Sequence, residues 1–220
     1  MKLYGYFLSS ASYRVRIALN LKGLAYDTIP VDLLKNGGQQ HVASYRQLNP
    51  AGLVPLLIDD RIGAPLLQSL AIIEYLEETH PQPPLLPANA ADRAYVRAIA
   101  LAVACDIHPL NNLRVLRYLK REMGMDQEAR DAWYRHWCEQ GLAALETMLA
   151  ADPRAGQFCC GNTPTLADCC LIPQIANAQR AHCDLSAMPT LLRIHQTCMA
   201  LDSFSRAAPA NQPDAQAPSA

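Results

Sequence analysis

The chain has 220 residues, half of them hydrophobic and 18% charged, with 19 Lys and Arg against 20 Asp and Glu for a net charge of −1. That profile describes a folded chain able to bury a sizeable core in one large or two small domains, and it excludes a disordered protein. Balanced charge argues against nucleic acid or an anionic membrane as partner, and no apolar run reaches membrane-spanning length.

The first 80 residues alternate between strand and helix patterns. Residues 2–6 read as a strand without the apolar core or cleavage site of a signal peptide, so a cytoplasmic location is expected. A helix is predicted over 12–22, ending at Gly23, and a strand over 25–32. A polar loop with Gly37-Gly38 leads to a short helix near 41–47. The run Leu53–Asp59 reads as a strand opening at a Pro, 64–67 as its hairpin partner, and 69–79 as a helix. This βαβ–α–ββα order predicts a small mixed sheet with helices packed on it.

Pro81, Pro83, Pro84 and Pro87 then break the pattern. Beyond about residue 90 it is wholly helical: 91–119 (interrupted near His108-Pro109), 127–149, 166–181 and 190–200. Thr165-Leu166-Ala167-Asp168 reads as a capping box, a structural helix start. The expected domains are 1–82, a linker over 83–90, an all-helical domain over 91–206 and an untethered tail over 207–220, rich in Ala and Pro. The eight cysteines lack the CxxC spacing of structural zinc sites. They are expected to be reduced core side chains, with no metal bound.

Three features of the first domain carry chemistry. Ser9, Ser10 and Ser12 stand where a strand meets a helix, and there open N–H groups and the positive end of the helix dipole suit a thiolate or carboxylate; plain helix capping is the alternative reading. Val54-Pro55 opens a strand and leaves the Val54 backbone able to pair with an extended peptide, or else marks an ordinary edge strand. Gln68-Ser69 begins another helix, suited to a carboxylate or simply to an N-cap. A thiol site, a peptide-backbone site and a carboxylate site together describe a receptor for a small thiol peptide.

These residues resemble the zeta class of cytosolic glutathione transferases. The resemblance runs over nearly the whole chain and rests on Ser9–Leu19, Gly37–Gln40, Leu48-Asn49-Pro50, Val54-Pro55, Gln68–Glu78, Asp106–Asn112, Thr165–Asp168 and Gln212-Pro213-Asp214. It implies a thioredoxin-like domain followed by an all-helical one, a homodimer, and glutathione as cofactor. It implies glutathione-dependent cis–trans isomerisation of maleylacetoacetate to fumarylacetoacetate. The alternatives are maleylpyruvate, α-halo acids, or a non-catalytic interaction protein of the same fold. By position, Ser9 and Ser10 with Arg180 would be catalytic. Ser9, Ser10, Ser12, Gln40, Val54, Pro55, Gln68 and Ser69, with His108 and Asn112, would hold glutathione and line the site. The chain departs from the family pattern at Ala11, where many members have Cys, and at Leu8, where Arg is frequent. Arg14 and Arg16 are left open between substrate cations and surface ion pairs.

Overall fold

The computed structural model describes residues 1–215 and divides into two compact units, residues 1–85 with 200–215, and residues 86–199. The division falls between Leu85 and Leu86, inside the segment read as a linker. Residues 216–220 of the expected tail lie outside the described residues.

In the first unit the elements are β1 (Lys2–Gly5), α1 (Ser10–Leu21), β2 (Asp27–Pro30), α2 (Ala43–Leu48), β3 (Leu56–Ile58), β4 (Leu66–Leu67) and α3 (Ser69–Thr79). The sheet order is β2-β1-β3-β4, with β2 parallel to β1 and β3 antiparallel to both of its neighbours. Helix α1 starts two residues earlier than its apolar periodicity indicates, because Ser9 caps it. Strand β3 starts later than expected: Pro55 has no N–H to give a ladder, and the Val54–Pro55 peptide is cis. Helix α1 packs on α3, and Val15, Ile17, Ala18 and Leu19 of α1, Ile72, Ile73 and Leu76 of α3 and Leu3, Leu56 and Leu57 of the sheet are all essentially unexposed. Each fully buried Leu or Ile contributes about 1.5–3 kcal/mol. Lys22 ties the end of α1 to the end of α3 by donating to Glu77 Oε2 at 2.7 Å and to the carbonyls of His80 (2.7 Å) and Pro83 (3.0 Å).

The tail expectation is corrected for residues 207–215. The chain returns through α9 (Asp202–Ser205) and two 3₁₀ turns over Pro209–Asn211 and Pro213–Ala215, laid along α1. Phe204 and Ala207 are fully buried. Tyr13 Oη donates to the Phe204 carbonyl at 3.2 Å, and Asp214 Oδ2 accepts from Phe7 N at 2.9 Å. Arg16, 3% exposed, donates to the carbonyls of Ala207 (2.9 Å) and Phe7 (3.1 Å). Burial lowers the Arg16 pKa to about 10 while nearby groups, Asp214 among them, pull it back up.

The second unit is helical: α4 (Ala90–Leu101), a π-helical turn (Ala102–Ile107), a 3₁₀ turn (His108–Asn111), α5 (Leu113–Arg121), α6 (Gln127–Ala151), α7 (Leu166–Arg180) and α8 (Pro189–Met199). The expected interruption near His108-Pro109 is present but wider. Pro109 offers no N–H to the carbonyl four residues back, and the turn preceding it is wound as a π-helix. Helix α7 is the core, buried at nearly every position from Leu166 to Ala178. The carboxylate of Glu146 on α6 accepts from Thr190 N (3.0 Å) and Leu191 N (2.9 Å), and so satisfies the open end of α8. Of the eight cysteines, five are buried as expected, whereas Cys105 is exposed and Cys160 and Cys183 are half-buried. No helix among the described residues is long and apolar enough to cross a membrane.

Candidate active site

The topology of the first unit brings three of the expected features to one edge of the sheet. Strands β1, β2 and β4 run in one direction and β3 runs against them. The C-terminal ends of β1 and β4, where α1 and α3 begin, therefore share an edge with the start of β3 at Val54-Pro55. Arg14 on α1 confirms the proximity by donating from Nη1 to Ser69 Oγ at 3.2 Å.

Ser9 is the N-cap of α1. Its Oγ accepts from Ser12 N at 3.2 Å, which leaves its own O–H to donate, at the positive end of the helix. Ser10 is buried in the first turn. Ser12 is 0% exposed and lies over Gly5, where an added Cβ would come within 3.1 Å of its Oγ. Its Oγ is buried without a hydrogen-bond partner among the described residues, and its amide fixes Ser9.

Val54 lies beyond the end of the ladder. Leu56 pairs with Leu67, so the position opposite Val54 falls at Ser69, already helical, and no strand among the described residues pairs with the Val54 backbone there. The preceding loop is held by Tyr45 Oη and Asn49 Nδ2, each donating to the Leu53 carbonyl at 2.7 Å. Burial pushes the Tyr45 phenol up to about 12, so it remains a donor at neutral pH. Gln68 adopts φ 69°, ψ 120°, a conformation that side-chain-bearing residues rarely take, and its exposed side chain makes no capping bond. Ser69 is buried and accepts from Arg14, so its hydroxyl proton remains to be donated. Gln40 is buried against Gly38, whose φ is 112° and whose added Cβ would lie 2.5 Å from the Gln40 amide nitrogen. The Gln40 Oε1 is buried without a hydrogen-bond partner, an acceptor the protein leaves unused.

In the second unit the structure brings His108 and Asn112 together. Asn112 caps α5, accepting from Arg114 N at 3.1 Å, and its Nδ2 lies 3.3 Å from His108 Nε2. Helix α6 clamps this segment: Trp133 Nε1 donates to the Leu110 carbonyl at 2.9 Å and Asn111 Nδ2 to the Tyr134 carbonyl at 3.2 Å. Gly141 allows the close approach, since a Cβ there would lie 2.3 Å from Ile107 Cγ1. Arg180, exposed on the last turn of α7, donates to Asn177 Oδ1 at 2.8 Å. The neighbouring Tyr134 phenol is raised by burial, with Arg180 pulling the other way.

Residue type alone does not place Arg14 behind Ser69 or Asn177 beside Arg180. Arg14 and Arg16 are neither surface pairs nor open to solvent; both are buried and bond within the unit. The spacing of Asn177 from Arg180 was the one available signal, one helical turn apart on the same face. Among the described residues no group of three or more His, Cys, Asp or Glu is placed to hold a metal ion.

Comparison with known proteins covers nearly the whole chain. Residues 3–84 match the model of the glutathione S-transferase N-terminal domain, and residues 127–203 that of the C-terminal domain. A probable maleylacetoacetate isomerase of Vibrio cholerae serotype O1 is 51% identical over 213 residues, 97% of each chain. A holo structure of maleyl pyruvate isomerase, a bacterial zeta-class glutathione S-transferase, superposes with a TM-score of 0.93 at 48% identity, covering 97% of this chain and 99% of that one. A maleylacetoacetate isomerase from Methylobacterium extorquens AM1, with malonate and GSH bound, gives 0.94 at 43% identity, covering 99% and 100%.

Proposed function

The chain belongs to the glutathione S-transferase family, and from that premise we propose that it is a glutathione-dependent cis–trans isomerase converting maleylacetoacetate to fumarylacetoacetate. The observation that carries this reading is the convergence of Ser9, Val54 and Gln68-Ser69 on one edge of the sheet. The unused Gln40 Oε1 fits the same ligand. Glutathione, when bound, supplies a sulfur nucleophile whose reversible addition frees rotation about the substrate's double bond.

The chain's own residues do the rest. Ser9 donates its hydroxyl proton toward the sulfur and, with the end of α1, favours the thiolate. A free thiol ionises near pKa ~8.5, so lowering it by ~2 units leaves most of it anionic at neutral pH. Val54 offers an unpaired backbone edge to the tripeptide. Gln68 and Ser69 receive a carboxylate at the start of α3, with the Arg14 charge behind Ser69. His108, held by Asn112, orients substrate or donates a proton to the developing enolate. Arg180 binds a substrate carboxylate through its planar fork, and malonate, a dicarboxylate, is bound in one relative. Arg180→Ala is expected to raise KM by about 10-fold or more, one charged hydrogen bond's worth, with kcat changed less. Steady-state kinetics over a range of substrate concentrations measure the split.

A homodimer is supported by a stripe of small and apolar residues that α4 leaves exposed at helical spacing: Ala91, Ala94, Ala98 and Leu101. A cytoplasmic location is supported by eight free cysteines.

The decisive experiment follows the absorbance of the cis substrate with the thiol-stripped protein. Conversion is expected only after glutathione is added, and full-speed conversion without any thiol would overturn the reading. Faster turnover of maleylpyruvate would reassign the substrate, which the 48% identical zeta-class relative makes the second reading. Retention on immobilised glutathione without turnover of either compound would favour a non-catalytic role.

A further inference from the structure

Apart from the residues given roles above, the helical unit carries two thiols set against each other. Cys138 lies on α6 and is 0% exposed, and Cys183, half-buried, lies in the turn after α7. Adjacent contacts clamp the two segments together. Gln174 Nε2 on α7 donates to Cys138 Sγ at 3.3 Å, and Asp184 N, next to Cys183, donates to Glu139 Oε1, next to Cys138, at 2.8 Å. The turn itself is fixed by Cys183 N donating to the Ala178 carbonyl at 3.0 Å, with His182 at φ 56°. Within this clamp the half-buried Cys183 thiol lies against the buried Cys138. The other buried thiols, Cys159, Cys169, Cys170 and Cys198, have no surface access, Cys160 is half-buried beside the buried Cys159, and Cys105 is exposed on the π-helical turn.

We propose that Cys138 and Cys183 are a redox-active dithiol that closes to a disulfide by exchange with a small disulfide such as glutathione disulfide. Cys138, beside Cys183 and accepting from Gln174, is drawn toward its thiolate against the opposing effect of burial, which suits it to resolve a mixed disulfide. Cys183, the accessible member, gives its proton to solvent and attacks one sulfur of the incoming disulfide. That S–S bond breaks, one glutathione thiolate leaves, and a mixed disulfide remains on Cys183. Cys138 releases its proton to the departing thiolate and attacks Cys183 Sγ, expelling the second glutathione thiolate. Two electrons pass from the protein dithiol to the small disulfide, which is reduced to two thiols. The inference stands independently of the isomerase reading.

The test incubates the full chain in mixtures of reduced and oxidised glutathione, quenches with acid, and reads intact mass and mapped peptides. Wild type is expected to lose two hydrogens, mapped to a Cys138–Cys183 cross-link, reversibly on adding reductant. Cys138→Ser is expected to stop at one stable glutathionyl adduct on Cys183, and Cys183→Ser to remain unmodified at either position. Cys105→Ser is expected to respond as wild type does. A wild type that keeps eight thiols, stops at a glutathionyl adduct, or cross-links elsewhere overturns the proposal. Since the wild-type mapping decides this alone, a variant that fails to fold does not rescue it.

Discussion

Asp168→Ala is expected to be the most destabilising single substitution in the helical unit, by about 3–5 kcal/mol, with a lowered denaturant midpoint. Asp168 is completely buried at the third position of α7. Its Oδ2 accepts from Thr165 N and Thr165 Oγ1, both at 2.8 Å, and its Oδ1 from Cys159 N at 2.8 Å. Alanine leaves all three donors unpaired at once in a site without water access, and each buried donor left unpaired costs roughly 1–3 kcal/mol. Burial pushes the carboxyl pKa up and the donors from Cys159 and Thr165 pull it down, so the group's value lies in accepting rather than in bare charge. Asp168→Asn, which keeps one oxygen, is expected to fall between wild type and Ala. With a typical domain stable by about 5–15 kcal/mol, the alanine variant loses a large fraction of its margin. Unfolding midpoints by circular dichroism test this. Equal midpoints for wild type and Asp168→Ala would show that the box is dispensable.

That capping box was legible because it is local: Thr and Asp three residues apart specify each other's partners whatever surrounds them. The strand–helix order of the first unit was legible for the same reason, as was the placing of Ser9 at a helix mouth. What was not legible depends on partners that carry no sequence signal. Arg16 binds the backbone carbonyls of Phe7 and Ala207, and any residue type presents a carbonyl. The same contacts tether residues 207–215, whose Ala- and Pro-rich composition reads as tail. Ser12 was indistinguishable from Ser9 by type. Gly5, which lacks a Cβ, provides the room that buries it. Pro109 announced a break in the helix, but the π-helical winding before it depends on packing between Ile107 and Gly141, 34 positions away in the chain. At Gln68 the positive φ is imposed by the junction of β4 with α3, since Gln has no preference for that region.

Ser9→Ala is expected to lower turnover by about 10–100-fold near neutral pH with little loss of fold. Two quantities separate the roles of this hydroxyl. As a helix cap it accepts from Ser12 N, and losing that bond costs about 1 kcal/mol of stability. In its proposed role as donor to a thiolate it would make a charge-assisted hydrogen bond, worth roughly 1.5–3 kcal/mol. At 1.36 kcal/mol per pKa unit, the second loss raises the bound thiol's pKa by about 1–2 units. The sign follows: a higher pKa means less thiolate at pH 7, and activity recovers as pH rises toward the new value. The acid limb of the kcat/KM profile is therefore expected to move to higher pH in the variant, as is the ultraviolet titration of bound thiolate. Ser9→Thr, which keeps the donor and the cap, is expected to retain the wild-type limb if the added methyl group fits. A structural role alone would lower the unfolding midpoint and leave both titrations in place. Superimposable profiles for wild type and Ser9→Ala would remove Ser9 from the chemistry and leave the end of α1 as the sole source of the shift.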